Sequence, residues 1–372
     1  LIQFQQEHSQ IREEKLKMKK KLSMILAIAL VLSLCVGLAA CGGTSTDPSA
    51  QGSGDAAGAE EYGYYEFTLS MHDPVTTPNA VYFQQWADAI FEATDGHVKI
   101  TIFGSSTLSA PTDVADNVKA GACDIGWLFT AYYAGQFPLT DVINLPMQGF
   151  GDPLVSTEVL WSLYNEYDEV KAEWDDFKLL FLYGNPGMIF ASANEPIQSI
   201  ADIQGMQLRC PAGAITEVLT AWGASPITMP PPDIYQAIEK NNIQGYIFEP
   251  AGITNFSLQD VTKYYTDLPM YNGPFGLVMN MDQWNSLPQA YKDIIDELSG
   301  YEGSIGAAEC FADAVSVARD VITASGGEFV TVSNEAIEEF RVEADKYAEA
   351  WAANLTGVDG IEFLAKAKSF VQ

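Results

Sequence analysis

The sequence predicts a bilobed α/β protein in which two α/β units share a chain that crosses between lobes. Three observations carry this expectation. Strand-like and helical patterns alternate through most of the chain, and the alternation restarts after a helical stretch near residues 153–175. A late strand candidate, Phe275 to Asn280, then returns before a mainly helical end. With 372 residues, 48% hydrophobic and 12% aromatic, the chain can build real cores in about two domains.

The elements follow in order. Phe67 to Met71 reads as a strand that ends in the turn His72-Asp73-Pro74. Thr77 supplies an N-cap and Pro78 a first-turn proline for a helix with Phe83, Trp86, Ala87 and Ile90 at helical spacing, stopped at Asp95-Gly96. Val98 to Phe103 alternates as a strand, Pro111 opens a helix closed at Gly121, and Asp124 to Leu128 is the next strand. A βαβαβ start predicts a parallel sheet with helices on both faces. In the second unit Leu179 to Tyr183, Met188 to Ala191 and Met206 to Cys210 are strand candidates. A helix over Ala214 to Trp222, a strand at Pro226 to Met229, a helix from Asp233 to Glu239 and a strand at Ile243 to Phe248 follow. One more strand candidate, Phe329 to Val332, interrupts the helical end. Ligands of such sheets sit at the carboxyl ends of strands.

Ahead of this body stands an export address. Met18-Lys19-Lys20-Lys21 precedes the apolar run Leu22 to Ala40, which ends in Leu38-Ala39-Ala40-Cys41. Basic, apolar and small-residue stretches in that order predict a secretory signal peptide, and the Leu-Ala-Ala-Cys ending resembles a lipobox, with Cys41 taking the lipid. An uncleaved membrane anchor is the alternative. Residues 42–61, rich in Gly, Ser, Thr, Ala and acid, are expected to be a flexible tether. Residues 1–17 precede the expected start at Met18 and are set apart from the fold.

Charge excludes further classes. The chain carries 49 acidic and 19 basic residues, a net charge of −30. Residues 1–40 hold six of the basic and three of the acidic ones, so the exported part has 13 against 46, or −33. So acidic a surface is repelled by phosphate backbones, and no nucleic-acid partner is expected. One long apolar run excludes a polytopic membrane protein. Beyond Cys35 and Cys41 only Cys123, Cys210 and Cys310 remain, which allow at most one disulfide.

Catalytic constellations are scarce. The body has two histidines, His72 and His97, and lacks His-Glu-x-x-His, Gly-x-Ser-x-Gly, a phosphate-binding glycine loop and Cys-x-x-Cys. No chemical step, metal or cofactor is implied. Arg209 differs from Arg319 and Arg341, which lie on helix patterns: it closes a strand just before Cys210-Pro211. There its planar fork suits a carboxylate; a salt bridge to one of many acids is the alternative. Trp127, Phe129, Tyr132, Tyr133, Tyr183, Phe248, Tyr271 and Phe275 are mostly core candidates, with Trp127, Phe129 and Phe248 best placed for a pocket. His72 is placed to hydrogen-bond an anion or to cap its turn.

These residues resemble the solute-binding receptors of tripartite ATP-independent periplasmic (TRAP) transporters, from about Phe67 to Glu297. The resemblance rests on residues 86–103, on Val118 to Gly126, and on Phe137-Pro138-Leu139 with Leu145-Pro146. It rests most on Asp202-Ile203-Gln204-Gly205-Met206-Gln207-Leu208-Arg209, then on Tyr235 to Glu239 with Ile243-Gln244-Gly245, and on Asn280 through Trp284 to Pro288. It implies a type II periplasmic-binding-protein-like fold, with two α/β lobes, inter-lobe crossovers and a long helix across both near Pro288 to Thr323, where Gly300, Gly303 and Gly306 are points of bending. The lobes would be residues 63–186 with 274–318, and 187–273 with 319–372, after the tether at 41–62.

The implied function is capture of a small organic acid and its delivery to TRAP membrane subunits, from a lipid anchor on the outer face of the cytoplasmic membrane. A sensory binding module or a receptor for a non-acid solute is the alternative. Arg209 would hold the carboxylate, with His72, Trp127, Phe129, Asn185, Phe248, Glu249 and Tyr271 around the ligand. The family usually has Asp before the Gly near 245; here Gln244 stands, followed by Phe248-Glu249, which points to a less polar or aromatic acid.

Overall fold

A computed structural model describes residues 63–371; Cys41, the signal segment and the tether lie outside them. The first strand, β1 (Tyr65–Ser70), leads to α1 (Pro78–Ala93), whose N-terminus is capped by Thr77 Oγ1 accepting from the Ala80 amide. Asp95 and Gly96, both at positive φ, end it and start β2 (Val98–Phe103). The short α2 (Val114–Lys119) and β3 (Ile125–Phe129) follow. Asp152 then caps α3 (Pro153–Glu166), continued by α4 (Asp168–Ala172) and β4 (Phe177–Gly184).

The chain now crosses to a second sheet: β5 (Ile189–Ser192), β6 (Gln207–Cys210), α5 (Ala214–Ala221), β7 (Ser225–Thr228), α6 (Ile234–Glu239), β8 (Gly245–Phe248), α7 (Pro250–Asn255) and β9 (Tyr264–Thr266). It returns through β10 (Pro274–Asn280) and α8 (Met281–Ser286). Then come α9 (Gln289–Leu298), α10 (Gly300–Ala324), β11 (Glu328–Val330), α11 (Asn334–Asn354) and α12 (Gly360–Lys368).

The two sheets have strand orders β2-β1-β3-β10-β4 and β11-β9-β5-β8-β6-β7. Neither is purely parallel, contrary to the expectation from the βαβαβ start. In each, one strand runs against its neighbours: β10 against β3 and β4, and β5 against β8 and β9. The reason is topological. These two strands are the ones that receive the chain from the other sheet, so they enter at the edge where the parallel strands end. Residues 185–188 and 267–273 make the two crossings side by side. They are joined by the Met188–Tyr271 bridge and by Met270 N–H to Met188 O at 3.0 Å.

The expected long helix is two helices. At Ser299 the backbone turns sharply (ψ −145°) and Gly300 adopts φ +63°, a conformation that favours glycine. Beyond it α10 is continuous for 25 residues, about 37 Å at 1.5 Å per residue. Gly303 and Gly306 therefore do not interrupt it. Gly306 permits close approach instead, since a Cβ there would stand 2.3 Å from Tyr82 Oη. So placed, α10 packs on α1, α3 and β4 on one side and on α7 and β11 on the other.

Residues 319–371, expected to belong wholly to the second lobe, are divided between the two sheets' cores. Trp222 of the second donates its indole N–H to Phe340 O on α11 at 3.0 Å. Further on, Ala348, Ala352, Phe363, Leu364 and Ala367 join Val159, Leu160 and Leu163 in the core of the first. Lys366–Glu166 and Lys368–Gln148 contacts hold α12 there.

Candidate functional site

The topology aims the carboxyl ends of the parallel strands, and the amino ends of β5 and β10, at one place. There they line a small cavity partly open to solvent. His72 and Asp73 come from the turn after β1, Trp127 and Phe129 from β3, and Phe275 from the start of β10. Arg209 and Pro211 come from the end of β6, Phe248 and Glu249 from the end of β8, Met188 from the crossing, and Phe311 from α10.

One wall is a stack of rings. His72 lies on Trp127 at 4.5 Å between centroids, and Trp127 on Phe275 at 4.5 Å, with interplanar angles of 18° and 15°. Phe129 follows Phe275 at 4.8 Å. The indole N–H of Trp127 donates to Tyr183 Oη at 2.7 Å, fixing the stack from behind.

Facing it is a buried cation. Arg209 is 1% exposed. Its Nε donates to Met229 O at 2.9 Å and its Nη1 to Ile247 O at 3.1 Å, and Phe248 lies 5.3 Å from the guanidinium carbon. These two bonds use two of five N–H donors. No acidic side chain among the described residues forms an ion pair with it within 4.0 Å. The Tyr132 phenol also meets the guanidinium by a hydrogen bond, and the remaining donors are left for a carboxylate.

Burial sets the remaining charges. It lowers His72 to about 3, with the nearby Arg209 adding to the effect, so the imidazole is neutral. It raises Asp73 to about 7. Glu249 rises to about 8, again chiefly through burial, with Asp73 pushing up and Arg209 pulling down. The expectation that His72 meets an anion is therefore one of a neutral hydrogen-bonding ring, not of a second charge.

Six of the expected ligand residues, Arg209, His72, Trp127, Phe129, Phe248 and Glu249, line this cavity. Asn185 and Tyr271 do not. Both sit in the crossings, because the main chain there needs partners that a sheet would otherwise supply. Asn185 accepts from Gly273 N at 2.6 Å, and Tyr271 Oη donates to Asn144 Oδ1 at 3.3 Å. Gln244 also stands away: its Oε1 accepts from Gln207 N at 2.8 Å, a strand-edge contact. The departure at 244 therefore says nothing about the ligand, whereas Phe248 and Glu249 do line the site. Sequence reading missed Asp73, Met188, Pro211, Pro231 and Phe311, and gave Tyr132 and Phe275 mostly to the core. Only Asp73, beside His72 at a strand end, carried a local signal. Cys123, Cys210 and Cys310 are all free thiols.

A wider groove of about 1040 Å³ is lined by the crossing residues Pro186, Gly187 and Pro269 and by Arg319. Its arginine is already tied to both oxygens of Asp267, at 2.9 and 3.0 Å, and has little to give an anion.

Comparison with known proteins decides the family. The model of bacterial extracellular solute-binding protein, family 7, matches residues 69–354. The chain belongs to this family. It is accordingly a solute-binding receptor and not an enzyme, and no helix among its described residues is long and apolar enough to cross a membrane. Its fold is that of bilobed TRAP receptors. A TRAP periplasmic solute binding protein from Bordetella bronchiseptica, solved with (R)- and (S)-mandelate, superposes with a TM-score of 0.76 at 27% identity, covering 82% of this chain and 98% of that one. A marine metagenome TRAP solute binding protein specific for aromatic acid ligands, solved with 3-hydroxybenzoate, gives 0.78 at 24% identity over 83% and 98%. Among curated relatives, the outer membrane transporter protein TsaT of Comamonas testosteroni is 23% identical over 303 residues, 80% of this chain and 87% of that protein.

Proposed function

We propose that this family 7 receptor captures a small aromatic carboxylate and delivers it to TRAP-type membrane subunits. The observation that carries the reading is Arg209, buried with donors to spare and no acidic partner among the described residues, against a cavity walled by Trp127, Phe129, Phe248 and Phe275. A carboxylate satisfies the fork, and a flat ring fills the space beside the stack. The Bordetella relative that holds mandelate supports this choice of ligand.

The receptor works by closure. Residues 63–186 with 274–318 form one lobe, and 187–273 with 319–344 most of the other, with the crossings at 185–188 and 267–273 as hinges. The bound acid favours the closed form because only there does it meet the ring wall and Arg209 together. Export on the signal segment and a lipid on Cys41 place the receptor on the outer face of the membrane; the 42–61 tether gives it reach. The test is a thermal-shift panel of benzoate, mandelate, acyclic dicarboxylates, amines and sugars. Benzoate and mandelate should give the largest stabilisation. A larger shift from amines or sugars would overturn the reading.

A further inference from the structure

We propose that the receptor captures its anion together with a proton held on Glu249, whose neutral carboxyl donates a hydrogen bond to the bound acid. This inference rests on the aromatic-carboxylate reading and deepens it.

Glu249 lines the cavity at the end of β8 and is buried, yet its Oε2 has no hydrogen-bond partner. It precedes α7 but makes no capping bond to it. Asn185 Nδ2 is the one side-chain donor that approaches the acid, too loosely to complete Oε2. A buried carboxyl oxygen with no protein partner is costly unless the ligand completes it.

The charges around Glu249 come from every side of the cavity. The β1 turn brings neutral His72 and the acid Asp73, the turn after β3 brings the Tyr132 phenol, and β6 brings Arg209. One cation thus faces two acids before any ligand arrives. If both acids were ionised, the cavity would carry a net negative charge and would exclude the anion that Arg209 attracts. With Glu249 neutral, the arriving carboxylate meets one fewer negative charge beside Arg209, and the acid proton has an acceptor. Burial already holds Glu249 up to about 8 and Asp73 to about 7, and an arriving anion raises both further. Binding near pH 8 therefore takes up protons.

The sign follows. The binding form is the protonated one, so affinity is full below the pKa of Glu249 and lost as pH rises through it. Calorimetric titration of the full chain with benzoate, from pH 6 to 9.5, tests this. The dissociation constant should rise by about tenfold per pH unit above about 8, and the heat at pH 8 should vary with the ionisation enthalpy of the buffer in the sense of proton uptake. Glu249→Gln keeps a donor that cannot titrate, so whatever its affinity at pH 7 its dissociation constant should rise less steeply with pH than that of wild type, Asp73 being the acid left to titrate. A flat wild-type profile without proton uptake overturns the inference while leaving the aromatic-acid reading intact. A Glu249→Gln slope as steep as wild type also overturns it. Should Glu249→Gln not fold, the buffer series on the wild type decides alone. Absence of benzoate binding at every pH overturns the aromatic-acid reading, and this inference with it.

Discussion

The two lobes bring different chemistry to one cavity. The first supplies flat rings, Trp127, Phe129 and Phe275, locked in a stack that is also its own core. The second supplies Arg209 and Glu249, which are buried but held by few bonds. The difference teaches which residues serve the fold and which serve the ligand. A ring wall built from core residues exists because the lobe must pack. A buried guanidinium with no ion-pair partner among the described residues does nothing for stability that an apolar side chain would not do better.

Truncating the ring wall should therefore damage the fold first. Trp127→Ala removes a fully buried side chain and its bond to Tyr183, and should cost about 3–5 kcal/mol in denaturant unfolding. Truncating the cation should do the reverse. Arg209→Ala should cost less stability than Trp127→Ala while weakening benzoate binding by at least about 2 kcal/mol, roughly thirtyfold, in calorimetric titration. A smaller effect is expected at the crossing. Asn185→Ala deletes the acceptor for Gly273 N–H and should cost about 1–2 kcal/mol of stability. If Arg209→Ala proved the more destabilising of the two lobes' variants, the division of labour would fail.

The acids give the smallest and most specific signal. Glu249 and Asp73 have folded-state pKa values above their ordinary ones, so their contribution to stability is full below the usual carboxylate range and lost as pH rises through about 7 and 8. Glu249→Gln removes that loss. Its melting temperature relative to wild type, without ligand, should thus be higher at pH 9 than at pH 5; an equal difference at both would show that Glu249 does not titrate in this range.

Much of this was legible in the sequence where the signal is local. The Thr77-Pro78 start of α1 and the strand-end position of Arg209 are set by residues a few positions apart. What was not legible depends on distant chain. The antiparallel entry of β5 and β10 follows from crossings between lobes, which no local period records. For the same reason a rule that looks only at carboxyl ends undervalues Phe275, at an amino end, and Phe311, on a helix from the far part of the chain. The residue types of Asn185 and Tyr271 suggest the ligand, but the crossings use Asn185 Oδ1 for the main chain and Tyr271 Oη for Asn144. The break at Ser299-Gly300 was expected only as a bend, because the sequence does not show which of three nearby glycines takes the positive φ.

The central claim is that Arg209 reads the charge of the acid while the rings read its shape. Titrating benzoate and benzamide, nearly equal in shape but not in charge, into wild type and Arg209→Ala tests it most directly. The account predicts that wild type prefers benzoate by at least about thirtyfold and that the preference collapses in Arg209→Ala. A preference that survives the substitution would contradict it.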